Sequence, residues 1–127
     1  MTIVRAALDE IFAHAREAAP NECCGVLIGG AEAILAAVRA RNLERSPTRY
    51  LLDPEDHFAA RRIARAGNLQ VVGFYHSHPQ SAPFPSESDI AESAYAETIH
   101  VIVGIRGGCK KQRPSISVAT GAWRKRP

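Results

Sequence analysis

The sequence lacks the features that mark membrane, secreted and disulfide-rich proteins. No apolar run reaches the ~20 residues of a membrane-spanning helix. The stretch 3–19 is interrupted by charged side chains, unlike the apolar region of a signal peptide. The chain has three cysteines, and because Cys23 and Cys24 are adjacent and the count is odd, no disulfide framework is expected. We therefore expect a cytoplasmic protein with no membrane partner.

Several known zinc motifs are also missing. A helical H-E-x-x-H does not occur, and there is no C-x-x-C to complete a deaminase site. An amidohydrolase barrel needs roughly 250 residues. The 127 residues present are expected to form one domain, 1–127, with a single core.

Charge of one sign is not in large excess, since the formal net charge is +3. The basic residues concentrate late in the chain, at Arg106, Lys110, Lys111, Arg113 and 124–126. Most such clusters are solvated surface, and attraction to an acidic protein partner is the functional alternative. No nucleic-acid motif or aromatic stacking platform accompanies them, so we expect no nucleic-acid partner.

Helical and strand patterns alternate along the chain. An amphipathic helix from about Val4 is ended by Pro20, and a second helix starts at Asp53-Pro54 with Gly67 as its C′ residue. A third helix is predicted from Ser86 to about Thr98. Strands are predicted at Cys24–Ile28, Ala33–Arg39, Tyr50–Leu52, 69–75, Ile99–Ile105 and Ser115–Thr120. This order predicts an α/β fold with a central sheet packed by helices.

The most informative segment is His76–Asp89, HSHPQSAPFPSESD. His76 and His78 end an apolar strand, and side chains two apart on a strand point the same way, so both rings can reach one ion. A helix starting at Ser86 would bring Asp89 back over the strand end. Two imidazoles and one carboxylate form a three-ligand zinc shell with a position left for water. Glu22, far upstream, is then a carboxylate available for proton transfer.

Simpler interpretations exist for each part of this pattern. An isolated H-x-H is often a pair of hydrogen-bonded strand histidines, and S-x-x-D at a helix start is usually only a cap. His14 and His57 lie on predicted helices and His100 has no ligand-spaced partner, so all three are left out of the site. Cys23 or Cys24 is either a reactive thiol or a small buried residue entering a strand.

The joint pattern resembles the JAMM (MPN-plus, JAB domain) metalloproteases, in particular the small prokaryotic members. Pro20–Gly29, PNECCGVLIG, is similar to the family's P-x-E-x-C-G-x-L-x-G segment, with Glu22 as the catalytic glutamate. His76-Ser77-His78 matches H-[ST]-H, and Ser86 with Asp89 matches S-x2-D. The resemblance implies a single-domain, cytidine-deaminase-like (JAB1/MPN) α/β fold whose curved mixed β-sheet is flanked by helices.

The resemblance also implies a function. Zn²⁺ would be held by His76, His78 and Asp89, Glu22 would act as general base, and Ser86 would donate a hydrogen bond to the oxyanion. The expected activity is that of a zinc-dependent peptidase or isopeptidase that cuts after the C-terminal Gly-Gly of a ubiquitin-like or sulfur-carrier protein. The alternatives are a non-catalytic MPN-type protein-binding module and a zinc amidase acting on a small-molecule adduct. The oligomeric state is left open.

Overall fold

The described part of the chain forms one six-stranded sheet and two helices. The structure is a computed structural model that describes residues 2–79, 99–106 and 113–119. In chain order the elements are β1 (Thr2–Ile3), α1 (Arg5–Ala18), β2 (Cys24–Gly29), β3 (Ala33–Ala40), α2 (Pro54–Ala66), β4 (Gln70–His78), β5 (Ile99–Arg106) and β6 (Arg113–Ala119).

The sheet is mixed, with strand order β1-β3-β2-β4-β5-β6. Strand β2 pairs antiparallel with both β3 and β4, whereas β4 pairs parallel with β5. Every residue of β2 is buried, as expected for a central strand covered on both faces. The predicted helix-flanked mixed sheet is therefore confirmed.

The two helices cover opposite faces of the sheet. Ala7, Ile11 and Ala15, spaced four residues apart on α1, pack with Leu27 of β2. On the other face, Ala60 and Ala64 of α2 pack with neighbours of Leu27 along β2, Val26 and Ile28. Alternate residues of one strand thus supply two separate cores. Among the described residues, no helix is long and apolar enough to cross a membrane.

The second helix begins as predicted and ends slightly differently. The Asp53 side chain accepts a hydrogen bond from the Glu55 N–H at 2.9 Å, with Pro54 in the first turn. Gly67 was expected at C′ but is the C-cap, with φ −98°. The left-handed residue is Asn68, with φ 57°, because asparagine tolerates that conformation better than other side chains do.

Two other predictions need correction or lie outside the structure. The strand predicted at Tyr50–Leu52 is wrong, since Leu52 forms only an isolated bridge with Asn42. The two-residue strand β1 was not predicted, because it is too short to show a period. The helix predicted from Ser86 to Thr98 lies outside the described residues.

Candidate metal centre

The two histidines of the H-S-H motif lie together at the end of β4. His76 and His78 are 1% and 4% exposed. They share one face of the strand, as the two-residue period requires. Their Nε2 atoms are 3.1 Å apart and their ring centroids 5.0 Å apart. The strand thus presents two converging ring nitrogens in a buried position.

Pairing of β2 with β4 brings Glu22 to the same place. Cys24 is the register partner of His76, so Glu22, two residues earlier, comes level with His78. The Glu22 side chain is buried, and one carboxylate oxygen and the two imidazole nitrogens all lie within 4.8 Å of one another. Sheet register therefore assembles residues that are more than fifty positions apart in the chain.

The segment before β2 is fixed to β4 by its neighbour Cys23. The Cys23 N–H donates to Ser77 Oγ at 2.8 Å, and the Ser77 N–H donates to the Cys23 carbonyl at 3.0 Å. Ser77 points away from the two histidines, so the serine of the motif holds the Glu22 segment while its neighbours face the site. This role was not expected from the sequence.

The donor set fits a zinc ion. Nitrogens bound at 2.0–2.1 Å to a tetrahedral zinc lie about 3.3 Å apart, close to the separation found here. Imidazole and carboxylate are common zinc ligands. Within 2–79 and the described strands that follow, Glu22, His76 and His78 are the one group of His, Cys, Asp or Glu side chains close enough to hold a metal. Asp89 and Ser86, the other predicted site residues, lie outside the described residues.

Comparison with protein families agrees with this geometry. A family model described as prokaryotic homologs of the JAB domain matches residues 4–119. The chain belongs to this family. The resemblance drawn from the sequence motifs is therefore confirmed.

Relatives of this JAB domain carry informative names. It is 36% identical to a desampylase of Haloferax volcanii over 109 residues, which cover 80% of this chain and 78% of the relative. It is 31% identical to a CysO-cysteine peptidase of Mycobacterium tuberculosis over 128 residues, which cover 98% of this chain and 88% of the relative.

A solved structure confirms the predicted JAB1/MPN fold. A JAB1/MPN domain protein from Archaeoglobus fulgidus superposes with a TM-score of 0.61 at 21% identity, covering 96% of this chain and 91% of the other.

A feature that sequence reasoning missed is the aromatic cover on His76. The Tyr50 ring stacks on the His76 imidazole, with centroids 4.4 Å apart and planes 22° from parallel. Such a stacked contact restricts the orientation of the His76 imidazole. Tyr50 lies in the polar segment between β3 and α2, and no local pattern links it to a histidine 26 positions later.

A cleft opens beside Glu22. Its volume is about 670 Å³, and its walls come from the segment Asn21–Cys23 and from residues 40–43, with Arg45 and the end of α1. His76 and His78 are not among the residues that line this cleft, so it adjoins the Glu22 segment and not the two imidazoles.

The other three histidines and the adjacent Cys23 and Cys24 have packing roles. His14 contacts the Tyr75 hydroxyl at 2.7 Å, and the rings of His57 and His100 lie against Phe74. Burial raises the pKa of Cys23 to about 11 and that of Cys24 to about 12, so both thiols stay protonated near neutral pH. Of the two interpretations of these cysteines, the structure favours small buried residues.

Proposed function

We propose that this JAB domain is a zinc-dependent peptidase or isopeptidase. Its substrate is a ubiquitin-like or sulfur-carrier protein, and it hydrolyses the amide bond after the C-terminal Gly-Gly. The observation that carries this proposal is the buried convergence of Glu22, His76 and His78. The desampylase and CysO-cysteine peptidase names of its relatives support the substrate class. A cytoplasmic location and a single domain over residues 1–127 stay predictions.

Three residues are proposed to hold the metal: His76, His78 and Asp89. The close approach of the two ring nitrogens supports the first two. The Asp89 assignment rests on the S-x2-D motif. When bound, zinc lowers the pKa of a coordinated water to about 7 and polarises the scissile carbonyl.

Glu22 is proposed to move the proton. It would accept a proton from the attacking water and return it to the leaving amine, which is general base and then general acid catalysis. Its position within reach of both imidazoles supports this role, and its burial keeps the carboxylate away from bulk water. Ser86 would donate its hydroxyl proton to the oxyanion of the tetrahedral intermediate.

A glycine pair suits a site of this kind. The scissile carbonyl of the substrate must approach the buried imidazole rings of His76 and His78. A substrate side chain beside that carbonyl would need additional space there, whereas glycine would not. Extended peptides are held mainly through main-chain hydrogen bonds, which glycine leaves fully accessible. We therefore propose that selectivity is set by the absence of a Cβ in the substrate.

Cleavage of designed fusions tests the substrate. A ubiquitin-like carrier protein joined to a reporter through Gly-Gly should be cut, and the same fusion ending Gly-Leu should be cut about 10²-fold more slowly, the effect of a misplacement near 1 Å. Glu22→Gln should bind the fusion and cut it 10²–10⁴-fold more slowly, the usual range for loss of a general base. Equal cleavage of both fusions would instead indicate a general or small-molecule amidase. Binding without cleavage by the wild type would indicate a protein-binding module.

Elemental analysis tests the metal. The wild type should hold about one zinc per chain, as a mononuclear site does. His76→Ala and Asp89→Ala should lose it, whereas Glu22→Gln should keep it. His57→Ala is the matched control, because it removes a histidine on α2 that is outside the proposed ligand set. Full zinc retention in His76→Ala would reject the ligand assignment.

A further inference from the structure

Residues 42–52, which we call the clasp, lie in the connection between β3 and α2 and fold back on themselves. At its base the Leu43 N–H donates to the Leu51 carbonyl at 2.8 Å. Just outside, the Asp53 N–H donates to the Arg41 carbonyl at 3.0 Å. Between these bonds Asn42 and Leu52 form an antiparallel bridge. The clasp is thus a closed loop with a short ladder at its neck.

The side-chain amide of Asn42 holds the inside of the clasp. Its Nδ2 donates to the Glu22 carbonyl at 3.0 Å and to the Arg49 carbonyl at 3.1 Å. Its Oδ1 accepts from the Glu44 N–H at 3.0 Å and from the Leu51 N–H at 2.9 Å. Two carbonyls on one side and two N–H groups on the other fit only one orientation of the amide. Asparagine is the side chain of this length that provides both halves.

The clasp binds both backbone polar groups of Glu22. Besides the carbonyl bonded to Asn42, the Glu22 N–H donates to the Ser46 carbonyl at 2.8 Å. The next residue, Cys23, is fixed to Ser77 of β4. Glu22 therefore lies between two anchors: the clasp on one side and the histidine-bearing strand on the other.

The clasp reaches the metal centre at a second point. Asn42 bonds the residues on both sides of Tyr50, namely the Arg49 carbonyl and the Leu51 N–H. Tyr50 in turn stacks on His76. The Asn42 side-chain amide thus connects the backbone of Glu22 with the segment whose Tyr50 ring stacks on His76. The clasp therefore contacts the site at two points.

We infer that Asn42 is a positioning residue, which closes the clasp and thereby sets where the Glu22 carboxylate lies relative to His76 and His78. The inference rests on the proposed role of Glu22 as proton carrier. Asn42 itself need not touch the reacting atoms. Loss of its amide releases the Glu22 carbonyl and loosens the loop that binds the Glu22 N–H. A displacement of about 1 Å at a catalytic group can cost about 10²-fold in rate.

A kinetic cycle tests whether Asn42 acts through Glu22. Asn42→Ala should lower kcat by about 10- to 100-fold, with a smaller change in KM and unchanged zinc content. In the Glu22→Gln background, the same substitution should lower single-turnover rates less than about twofold, because groups that act as a unit are not additive. Glu44→Ala is the matched control: it lies in the clasp, its side chain is exposed, and only its backbone N–H contacts Asn42. An equal loss in both backgrounds would overturn the inference.

Amide hydrogen exchange tests the clasp without any substrate. In Asn42→Ala the Glu22 and Leu51 N–H groups should exchange at least about tenfold faster, while the Ser77 N–H should not change. Asn42→Asp keeps the acceptor half and loses the donor half. In this variant the Leu51 N–H should therefore remain protected from exchange, whereas kcat should still fall. Unchanged Glu22 exchange in Asn42→Ala would overturn the inference. If the wild type cleaved nothing, the proposed function would fail. Exchange at the Glu22 N–H would still decide whether Asn42 holds the Glu22 backbone in place.

Discussion

At the scale of single residues, the site joins groups of two kinds: those that a local pattern reveals and those that only the fold brings in. His76 and His78 are two positions apart on a predictable strand, so their common face follows from the sequence. Glu22 was identified by its motif, and the sheet register brings it to them. Tyr50 and Asn42 could not be predicted, because their contacts lie across a polar loop that has no period. The catalytic role of Glu22 and the ligand roles of His76 and His78 stay predictions.

A second pair at this scale, the half-buried His14 and the buried Tyr75, lies on the α1 side of the sheet. His14 Nδ1 and the Tyr75 hydroxyl are 2.7 Å apart. Burial, helped by the nearby Arg39 guanidinium and only partly opposed by Glu10 and Glu17, lowers the pKa of His14 to about 4. Burial also raises the pKa of the Tyr75 hydroxyl. The pair is therefore neutral, with tyrosine donating to an unprotonated histidine.

This pair predicts a loss of stability in mild acid. A histidine with an ordinary pKa of 6.5 that falls to about 4 on folding binds more protons when unfolded. Its contribution is complete above pH 6.5 and declines as the pH falls towards 4. The size of the His14 pKa shift sets an upper limit of about 3 kcal/mol on the loss in the free energy of unfolding. Partial exposure of His14 reduces the expected loss to about 1 kcal/mol. Urea unfolding of metal-free protein between pH 7 and 4 should show a shallower decline in His14→Gln. Identical slopes would contradict the assignment.

At the scale of elements, the close packing of β2 on β4 depends on one glycine. Gly25 is the register partner of Tyr75, and a Cβ at Gly25 would overlap the Tyr75 ring. The ring is fully buried among α1 residues, so it cannot move aside. The strand pair next to the metal centre therefore requires a residue without a side chain at this position.

Gly25→Ala should destabilise the fold by about 1–3 kcal/mol, the usual cost of overpacking a core. Gly30→Ala is the matched control, because a Cβ there has no atom within 4 Å. Denaturant midpoints of the two variants measure the difference. If both shifted equally, the overlap with Tyr75 would not be the cause.

Local chemistry explains why some elements were predicted well and others were not. The start of α2 follows from Asp53-Pro54 alone, since capping involves only neighbours in sequence. The strand predicted at Tyr50–Leu52 is wrong because a strand needs a partner, and here Asn42 closes the segment into a loop instead. The cap at Asp53 also contacts the Arg41 guanidinium at 3.0 Å, which sequence patterns do not show.

Two substitutions separate the cap from this ion pair. Asp53→Ala should cost about 1 kcal/mol of unfolding free energy, because the Glu55 N–H loses its acceptor. Asp53→Asn keeps an oxygen for that bond and loses only the charge. It should cost a few tenths of a kcal/mol, since the Arg41 side chain is 68% exposed and such pairs contribute little. Chemical denaturation of both variants measures this, and equal losses would mean that the ion pair matters more than the cap.

At the scale of the whole molecule, the candidate metal centre lies at the ends of two central strands that both cores share. Strands β2 and β4 contribute to the core under α1 on one face and to the core under α2 on the other. His76 and His78 end β4, and Glu22 precedes β2. A metal held there would connect the central strands to the segment that carries Asp89. Metal binding should therefore stabilise the entire fold.

This coupling predicts that chelation lowers the melting temperature. A ligand that binds only the folded state at about 100 times its Kd adds about 2.7 kcal/mol. For a chain of this length that is a rise of roughly 10 °C. Wild-type protein treated with a chelator should melt lower by about this amount and recover when Zn²⁺ is added back. His76→Ala should melt at the lower temperature with or without Zn²⁺, whereas Glu22→Gln should still respond, because Glu22 is proposed to move protons and not to hold the ion. A Zn²⁺ response that persists in His76→Ala would place the stabilising metal elsewhere, and its loss in Glu22→Gln would make Glu22 a ligand.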